Sequence, residues 1–257
     1  MNPHVLDNHI LQALPPATLH HWFQRGQIVS LRAGETLIRP GDEPAWTYFP
    51  LTAILVWVNL MENGATTAVA MVGREGATGL ENLPGTNNHL MVQCSGLSLR
   101  LQPEHFRESL PLLPGVHAMC KALVRAFVTQ ITQTAACNRH HSLEQQLIRL
   151  LLFTLDRSEG PTLQMTHEQM ARMLGVRREG VSYAASLLQH RGWIGYSRGR
   201  ITLFDRQALV GHACECYHLV SLAYQAMDRY RVFTPEPSGC ESHSGSDLPL
   251  CAVPPCA

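Results

Sequence analysis

The chain carries no net charge: 20 Lys and Arg are balanced by 20 Asp and Glu over 257 residues, so no global basic field draws it to nucleic acid. It also has no apolar run of membrane-spanning length. Its opening, MNPHVLDNH, lacks the basic start and apolar core of a secretory signal, so a cytoplasmic protein without membrane contact is expected. Catalytic motifs are missing too: there is no nucleophile elbow, phosphate loop or zinc-protease helix. Gly73 to Gly79 (GREGATG) is glycine-rich, but it lies between strand-like runs and lacks the following helix that a dinucleotide fingerprint needs. No catalytic residue is assigned, and no enzyme is expected.

Cysteine is absent before Cys94. The eight present are Cys94, Cys120, Cys137, Cys214, Cys216, Cys240, Cys251 and Cys256. The first three sit in strand or helix contexts and read as small buried hydrophobes. Cys214 and Cys216 are two apart, a spacing that does not put both thiols on one helix face. The last three lie in TPEPSGCESHSGSDLPLCAVPPCA, a Pro-, Ser- and Gly-rich tail that reads as flexible. With His243 those thiols could hold a soft metal or oxidise, although incidental thiols are the simpler reading. Histidine is plentiful, with 14 residues, but its only adjacent pairs, His20-His21 and His140-His141, point apart on a helix. No metal ligand is assigned.

What is present is concentrated in MTHEQMARMLGVRREGVSYAASLLQHRGWI, Met165 to Ile194. Thr166 is a good N-cap with Gln169 three residues on, and Met170, Ala171, Met173 and Leu174 form an apolar face at helical spacing. Gly175 suits a sharp turn. Val181, Ala184, Ala185, Leu187 and Leu188 make the inner face of a second helix, whose outer face shows Arg177, Arg178, Glu179, Ser182 and Tyr183. Such a helix, basic at its exposed start, fits a DNA major groove. Two β-prone runs then flank the turn at Ser197-Arg198-Gly199-Arg200, a basic wing placed to meet phosphates. From Arg172 to Arg206 the basic residues are Arg172, Arg177, Arg178, Arg191, Arg198, Arg200 and Arg206, against Glu179 and Asp205. That is a local basic surface on a neutral chain.

The first half reads differently. Short β-like runs at Ile28–Leu31, Thr36–Ile38, Ile54–Val58, Thr67–Val72 and Leu97–Leu101 are separated by Gly, Pro and Asn, which predicts a sandwich or jelly-roll barrel. Glu62-Asn63-Gly64 predicts a hairpin with a type I′ turn. From Leu112 to Cys137 a stripe of Val116, Met119, Cys120, Leu123, Phe127, Val128, Ile131 and Ala135 predicts a helix of about 22 residues, about 33 Å long. A single stripe of this kind favours pairing with a second copy across a two-fold axis over packing on its own barrel. A further helix runs from the N-cap Ser142 through Leu155.

This order of parts resembles the Crp/Fnr family of bacterial transcription regulators over about residues 10 to 215. The resemblance rests on NRHHSLE (Asn138 to Glu144), MTHEQMARMLGVRREGV, IGYSRGRITLFDR and the turns Arg32–Glu35 and Ile38–Asp42. It implies an α+β fold: a cyclic-nucleotide-binding-like β-barrel at 1–111, a dimerisation helix at 112–137, a winged helix-turn-helix at 138–230 and a flexible tail at 231–257. It further implies a homodimer on a two-fold symmetric operator in double-stranded DNA, with half-sites about 34–36 Å apart, and contact with RNA polymerase.

Matched position by position, Arg178 and Glu179 take the family's guanine- and cytosine-reading roles. Ser182 lies on the same face, and Tyr183 stands where the cyclic-AMP branch has a further Arg, which argues for a different operator. Thr166, His167, Arg177, Arg198 and Arg200 fall at phosphate-contacting positions. The effector region departs from the family. Leu80 occupies the position of the ribose-holding Glu, with Glu81 beside it, and no Arg occurs between Arg74 and Arg100. Cyclic AMP is therefore not the expected ligand; Gly76, Gly79, Glu81, Asn87 and Asn88 remain as the candidate effector pocket. The lack of an N-terminal cysteine set removes the iron–sulfur ligands of the oxygen-sensing branch. The alternative to a plain regulator is a small-molecule or redox sensor in which a ligand in the barrel gates DNA binding.

Overall fold

The computed structural model describes residues 7–79, 88–227 and 229. Asn8 starts the fold. Its side-chain oxygen accepts from the N–H groups of Ile10 and Leu11 to cap α1 (His9–Gln12), while its amide donates to the carbonyls of Pro50 and Gly76. One buried side chain thus satisfies a helix end and pins it to two later segments. A second helix, α2 (Pro16–Arg25), begins with proline at its first position and buries Leu19 and Trp22.

Seven strands follow: β1 (Gln27–Leu31), β2 (Thr36–Ile38), β3 (Thr47–Pro50), β4 (Ile54–Leu60), β5 (Thr66–Val72), β6 (Asn88–Cys94) and β7 (Gly96–Leu101). They form two antiparallel sheets, ordered β1-β7-β3 and β2-β6-β4-β5. The expected strands are all present, but the sheets do not close into a barrel. Trp22, Phe49 and Phe106 pack together in the core with ring centroids 5.4 to 5.8 Å apart.

The β4–β5 hairpin exists without the expected type I′ turn. Only Gly64 is left-handed, at φ +80°; Asn63 instead uses its side-chain oxygen to accept from the Ala65 N–H. The loop spans Met61 to Ala65, and this side-chain bond closes it without a second positive φ.

After α3 (Pro103–Ser109) and a single 3₁₀ turn, α4 runs from Pro114 to His140, 27 residues. Proline at its first position sets the start two residues later than expected. Most of the sequence stripe packs on its own domain: Val116, Met119, Cys120, Leu123, Ala126 and Phe127 are buried in the core between the sheets. What stays uncovered is a second line, Val124 (42% exposed), Val128 (55%) and Ile131 (44%), continued by exposed Ala135. Its spacing of four, three and four residues is that of a coiled-coil seam.

The rest of the chain is α5 (Leu143–Arg157), β8 (Thr162–Gln164), α6 (His167–Leu174), α7 (Arg178–His190), β9 (Ile194–Ser197), β10 (Arg200–Leu203), α8 (Arg206–His212) and α9 (Glu215–Gln225). A capping box between Ser142 and Gln145 starts α5. This unit docks on the outer face of β4. Ile54, Val56, Val58 and Met71 share a core with α5, α6 and α7, while Leu55 faces the core between the sheets. Burial of both faces of β4 explains its unbroken apolar run. No single helix among the described residues is long and apolar enough to cross a membrane.

Candidate nucleic-acid interface

The helical hairpin is built as its residue pattern dictates. Thr166 Oγ accepts from the Gln169 N–H at 3.2 Å, and Gln169 Oε1 accepts from the Thr166 N–H at 2.8 Å, so the start of α6 is closed on both sides. Gly175 ends α6 in the left-handed region, at φ +68°. A Cβ there would lie 2.5 Å from Thr67 Oγ1, so the turn needs glycine both for its dihedrals and for its closeness to the β4–β5 hairpin. Thr66 donates to the Arg172 carbonyl at the same junction, at 3.1 Å.

Helix α7 then buries Val181, Ala184, Ala185 and Leu188 and exposes Arg177, Arg178, Glu179 and Tyr183, the last 69% exposed. The hairpin tip at Gly64 to Thr66 borders the space in front of this start, across a cleft of about 610 Å³.

The wing is a three-stranded sheet ordered β8-β10-β9; the sequence pattern missed β8, which is only three residues long. Ser197 pairs with Arg200 across a two-residue turn in which Arg198 (φ +49°) and Gly199 (φ +76°) are both left-handed, as a type I′ turn requires. Arg198 is the only non-glycine with positive φ among the described residues. Met165 N–H donates to the Gly199 carbonyl at 2.8 Å, which holds the wing tip against the start of α6. Arg198 and Arg200 are exposed there.

Two expected contact residues have other partners. His167 Nδ1 lies 2.9 Å from Ser182 Oγ, and its ring stacks on Tyr196 with centroids 4.0 Å apart. Its Nε2 is buried without a partner. His167 and Ser182 therefore brace α6 against α7 and the wing. The hydroxyl of Thr166 is held likewise by its capping box. Spacing gave the Thr166 capping box, but it could not reveal the His167–Ser182 contact, whose partners lie 15 residues apart on two helices.

Burial, and secondarily the Arg178 guanidinium, lower the pKa of His167, so the folded state favours neutral imidazole. Its stability contribution is complete above the ordinary histidine value of about 6.5 and is lost as pH falls through the lowered folded value. Wild-type melting temperature should therefore fall more steeply below that pH than that of His167→Gln. Parallel profiles would remove His167 as the cause.

The effector candidates scatter. Gly76 is a packing glycine, since a Cβ would sit 2.9 Å from Leu123 Cδ1. Gly79 has φ +78° and passes 2.9 Å from the Trp46 carbonyl by the same measure. Glu81 and Asn87 lie outside the described residues. Asn88 does line a cleft of about 220 Å³ between the sheets and α4, together with Arg39, Asp42, Trp57, Phe127 and Ile131. Arg39, exposed after β2, brings a guanidinium to the edge of this cleft.

Residues 145–211, which include both helices of the hairpin and the wing, match the family model of the Crp-like helix-turn-helix domain. Residues 145–211 are thus similar to a Crp-like helix-turn-helix domain. Over about three quarters of the chain the fold is similar to that of solved transcription regulators. FixK2 of Bradyrhizobium japonicum superposes with a TM-score of 0.62 at 17% identity, covering 74% of this chain and 98% of that one. A transcriptional regulator of the Crp/Fnr family from Eubacterium rectale gives 0.59 at 15% identity, with coverages of 77% and 94%. The c-di-GMP responsive global regulator CLP of Xanthomonas campestris gives 0.58 at 14%, with coverages of 74% and 100%. No curated protein matches the chain in sequence.

Proposed function

We propose that the chain is a sequence-specific, DNA-binding transcription regulator that acts as a homodimer on a two-fold symmetric operator. The observation that carries this reading is the exposed Arg178-Glu179 pair at the start of α7, flanked by Arg177 and by the wing residues Arg198 and Arg200. Arg178 offers a bidentate fork to a guanine edge, Glu179 accepts from a cytosine amino group, and the flanking arginines meet phosphates. Tyr183, exposed on the same helix, has one hydroxyl in place of a fork and gives the operator a different sequence at that step. Domain limits of 1–111, 112–137, 138–230 and 231–257, contact with RNA polymerase, a cytoplasmic location and the absence of enzymatic activity belong to the same reading.

In a mobility-shift assay, replacing both Arg177 and Arg178 by alanine should abolish operator binding; binding retained by that variant would sink the assignment. Arg178→Ala alone should cost about 1–3 kcal/mol, confined to one base position of the half-site. An equal loss on every sequence would make Arg178 a phosphate contact.

The sensor reading draws support from the cleft at Asn88 and Arg39, because Phe127 and Ile131 of α4 line it too. A ligand there would touch the helix that carries the uncovered seam. Thermal stability against nucleotides, including cyclic di-GMP, and against metals and oxidants would show any ligand that prefers the native state. Cyclic AMP should give no shift.

A further inference from the structure

The end of α4 and the start of α9 bring four soft ligand atoms together. Cys137 lies in the last turn of α4 and His141 is its C-cap; Cys214 is the N-cap of α9 and Cys216 lies in its first turn. The sulfurs of Cys137 and Cys214 are 3.7 Å apart, Cys216 Sγ is 3.6 Å from His141 Nδ1, and all four ligand atoms lie within 4.8 Å of one another. The three cysteines are 0%, 3% and 1% exposed and form a cluster of their own. The sequence rule that separates Cys214 from Cys216 holds inside a helix, but here Cys214 is extended (φ −72°, ψ 161°) and the helix begins at Glu215. Its side chain therefore turns back over the first turn.

We propose that Cys137, His141, Cys214 and Cys216 form a tetrahedral site for a single thiophilic divalent ion, zinc, which staples the end of the long helix to α9. Zinc bonds of about 2.3 Å to sulfur and about 2.0–2.1 Å to nitrogen give tetrahedral edges of about 3.8 Å between two sulfurs and about 3.6 Å between sulfur and nitrogen. Two of the six edges in the cluster are 3.7 and 3.6 Å, and none exceeds 4.8 Å. A disulfide needs about 2.05 Å between sulfurs, far below the separation here.

The surroundings fit a metal as well. His141 Nε2 lies 3.2 Å from a Glu215 carboxylate oxygen, which leaves Nδ1 for the ion and gives the ring its usual carboxylate partner. Charge balances too. Three thiolates and one divalent cation sum to one negative charge. Buried Arg149 lies close to Cys137 and Cys216, and among the described residues no carboxylate pairs with it. An unpaired buried guanidinium is costly, and an anionic metal cluster is the counter-charge it lacks. Thiolate-rich, four-coordinate sets select zinc over magnesium or calcium. Binding releases the thiol protons and closes the chain from Cys137 to Cys216 into a loop containing the entire helix-turn-helix and wing.

The full chain, purified under reducing conditions, should carry one zinc per protomer by elemental analysis. A variant with Cys240, Cys251 and Cys256 all changed to serine should keep it, and Cys214→Ser/Cys216→Ser should lose it. Exchange of wild-type protein into cobalt(II) should give the visible and near-ultraviolet spectrum of a tetrahedral thiolate site, and His141→Cys should retain an ion with stronger thiolate-to-cobalt absorption. Chelation should lower the melting temperature and expose three further thiols to alkylation without any reductant. These wild-type measurements decide the matter even if the double-serine variant fails to fold. No bound metal and no tetrahedral cobalt spectrum after reconstitution would overturn the proposal, as would zinc that follows the tail cysteines, or a Cys137–Cys214 disulfide that frees its thiols only on reduction.

Discussion

Val128→Glu/Ile131→Glu yields a folded monomer whose affinity for the two-fold operator falls by about 10²- to 10⁴-fold. Both side chains are exposed in the protomer, at 55% and 44%, so glutamate meets solvent there and costs the fold little. In a dimer the same positions lie along a seam with Val124 and Ala135, where two facing rows of carboxylates repel and leave charges without partners. Once the subunits separate, the second half-site is no longer bound intramolecularly, and the lost effective concentration accounts for the expected fall. Light scattering would report mass and a mobility-shift titration would report affinity. A variant that stays dimeric with unchanged affinity would place the dimer contact elsewhere.

Glu75→Ala destabilises the protein by about 3–5 kcal/mol, the cost of stranding a buried charge. Glu75 Oε1 accepts from Arg157 Nε at 2.6 Å, with the two side chains 13% and 5% exposed. Its carboxylate oxygens also accept from the Gly73 N–H at 3.1 Å. Burial works against the Arg157 charge, but Glu75 and then Tyr224 outweigh it, so the guanidinium holds its proton more tightly than usual. Arg157 donates also to the Phe153 carbonyl at 2.9 Å and lies 5.0 Å from the Tyr224 ring centre. The pair joins the loop after β5 to the end of α5, so its loss loosens the helix-turn-helix unit from the sheets. Gly73 belongs to the same latch, since a Cβ there would lie 2.9 Å from Arg157 Cβ. Arg157→Met/Glu75→Gln should recover most of the lost stability, because neither residue then carries an unpaired charge. Denaturant unfolding of the single and double variants measures both effects; a double variant no more stable than Glu75→Ala would mean that packing rather than charge dominates.

Local signals carried the helix-turn-helix. The Thr166 and Ser142 capping boxes, the left-handed Gly175 and the apolar faces of α6 and α7 all involve residues within a few positions of one another, and all are in place. The signals that failed depend on distant neighbours. Strand β3 reads Thr-Tyr-Phe-Pro with every residue buried, so no alternation marks it as a strand. Strand β6 begins at Asn88, inside a stretch read for its departure from a phosphate-binding pattern. His167 looks like a free surface cation until Ser182 and Tyr196 close on it.

The long helix and the cysteines mark the same boundary most sharply. Periodicity established that α4 is amphipathic, but a 3.6-residue repeat cannot say which of two adjoining apolar lines meets its own sheets and which faces outward; only the docking of Met119, Leu123 and Phe127 into the core decided it. Composition and spacing likewise determined that the chain carries a helical hairpin and a basic wing, and no guanidinium between Arg74 and Arg100. That Arg39 comes to line the Asn88 cleft, and that Cys137 meets Cys214 across 77 residues, was decided by tertiary structure. Short-range patterns specify elements because their partners lie within a turn or two along the chain. A site assembled from separate elements exists only once the packing of those elements has set the distances between its atoms.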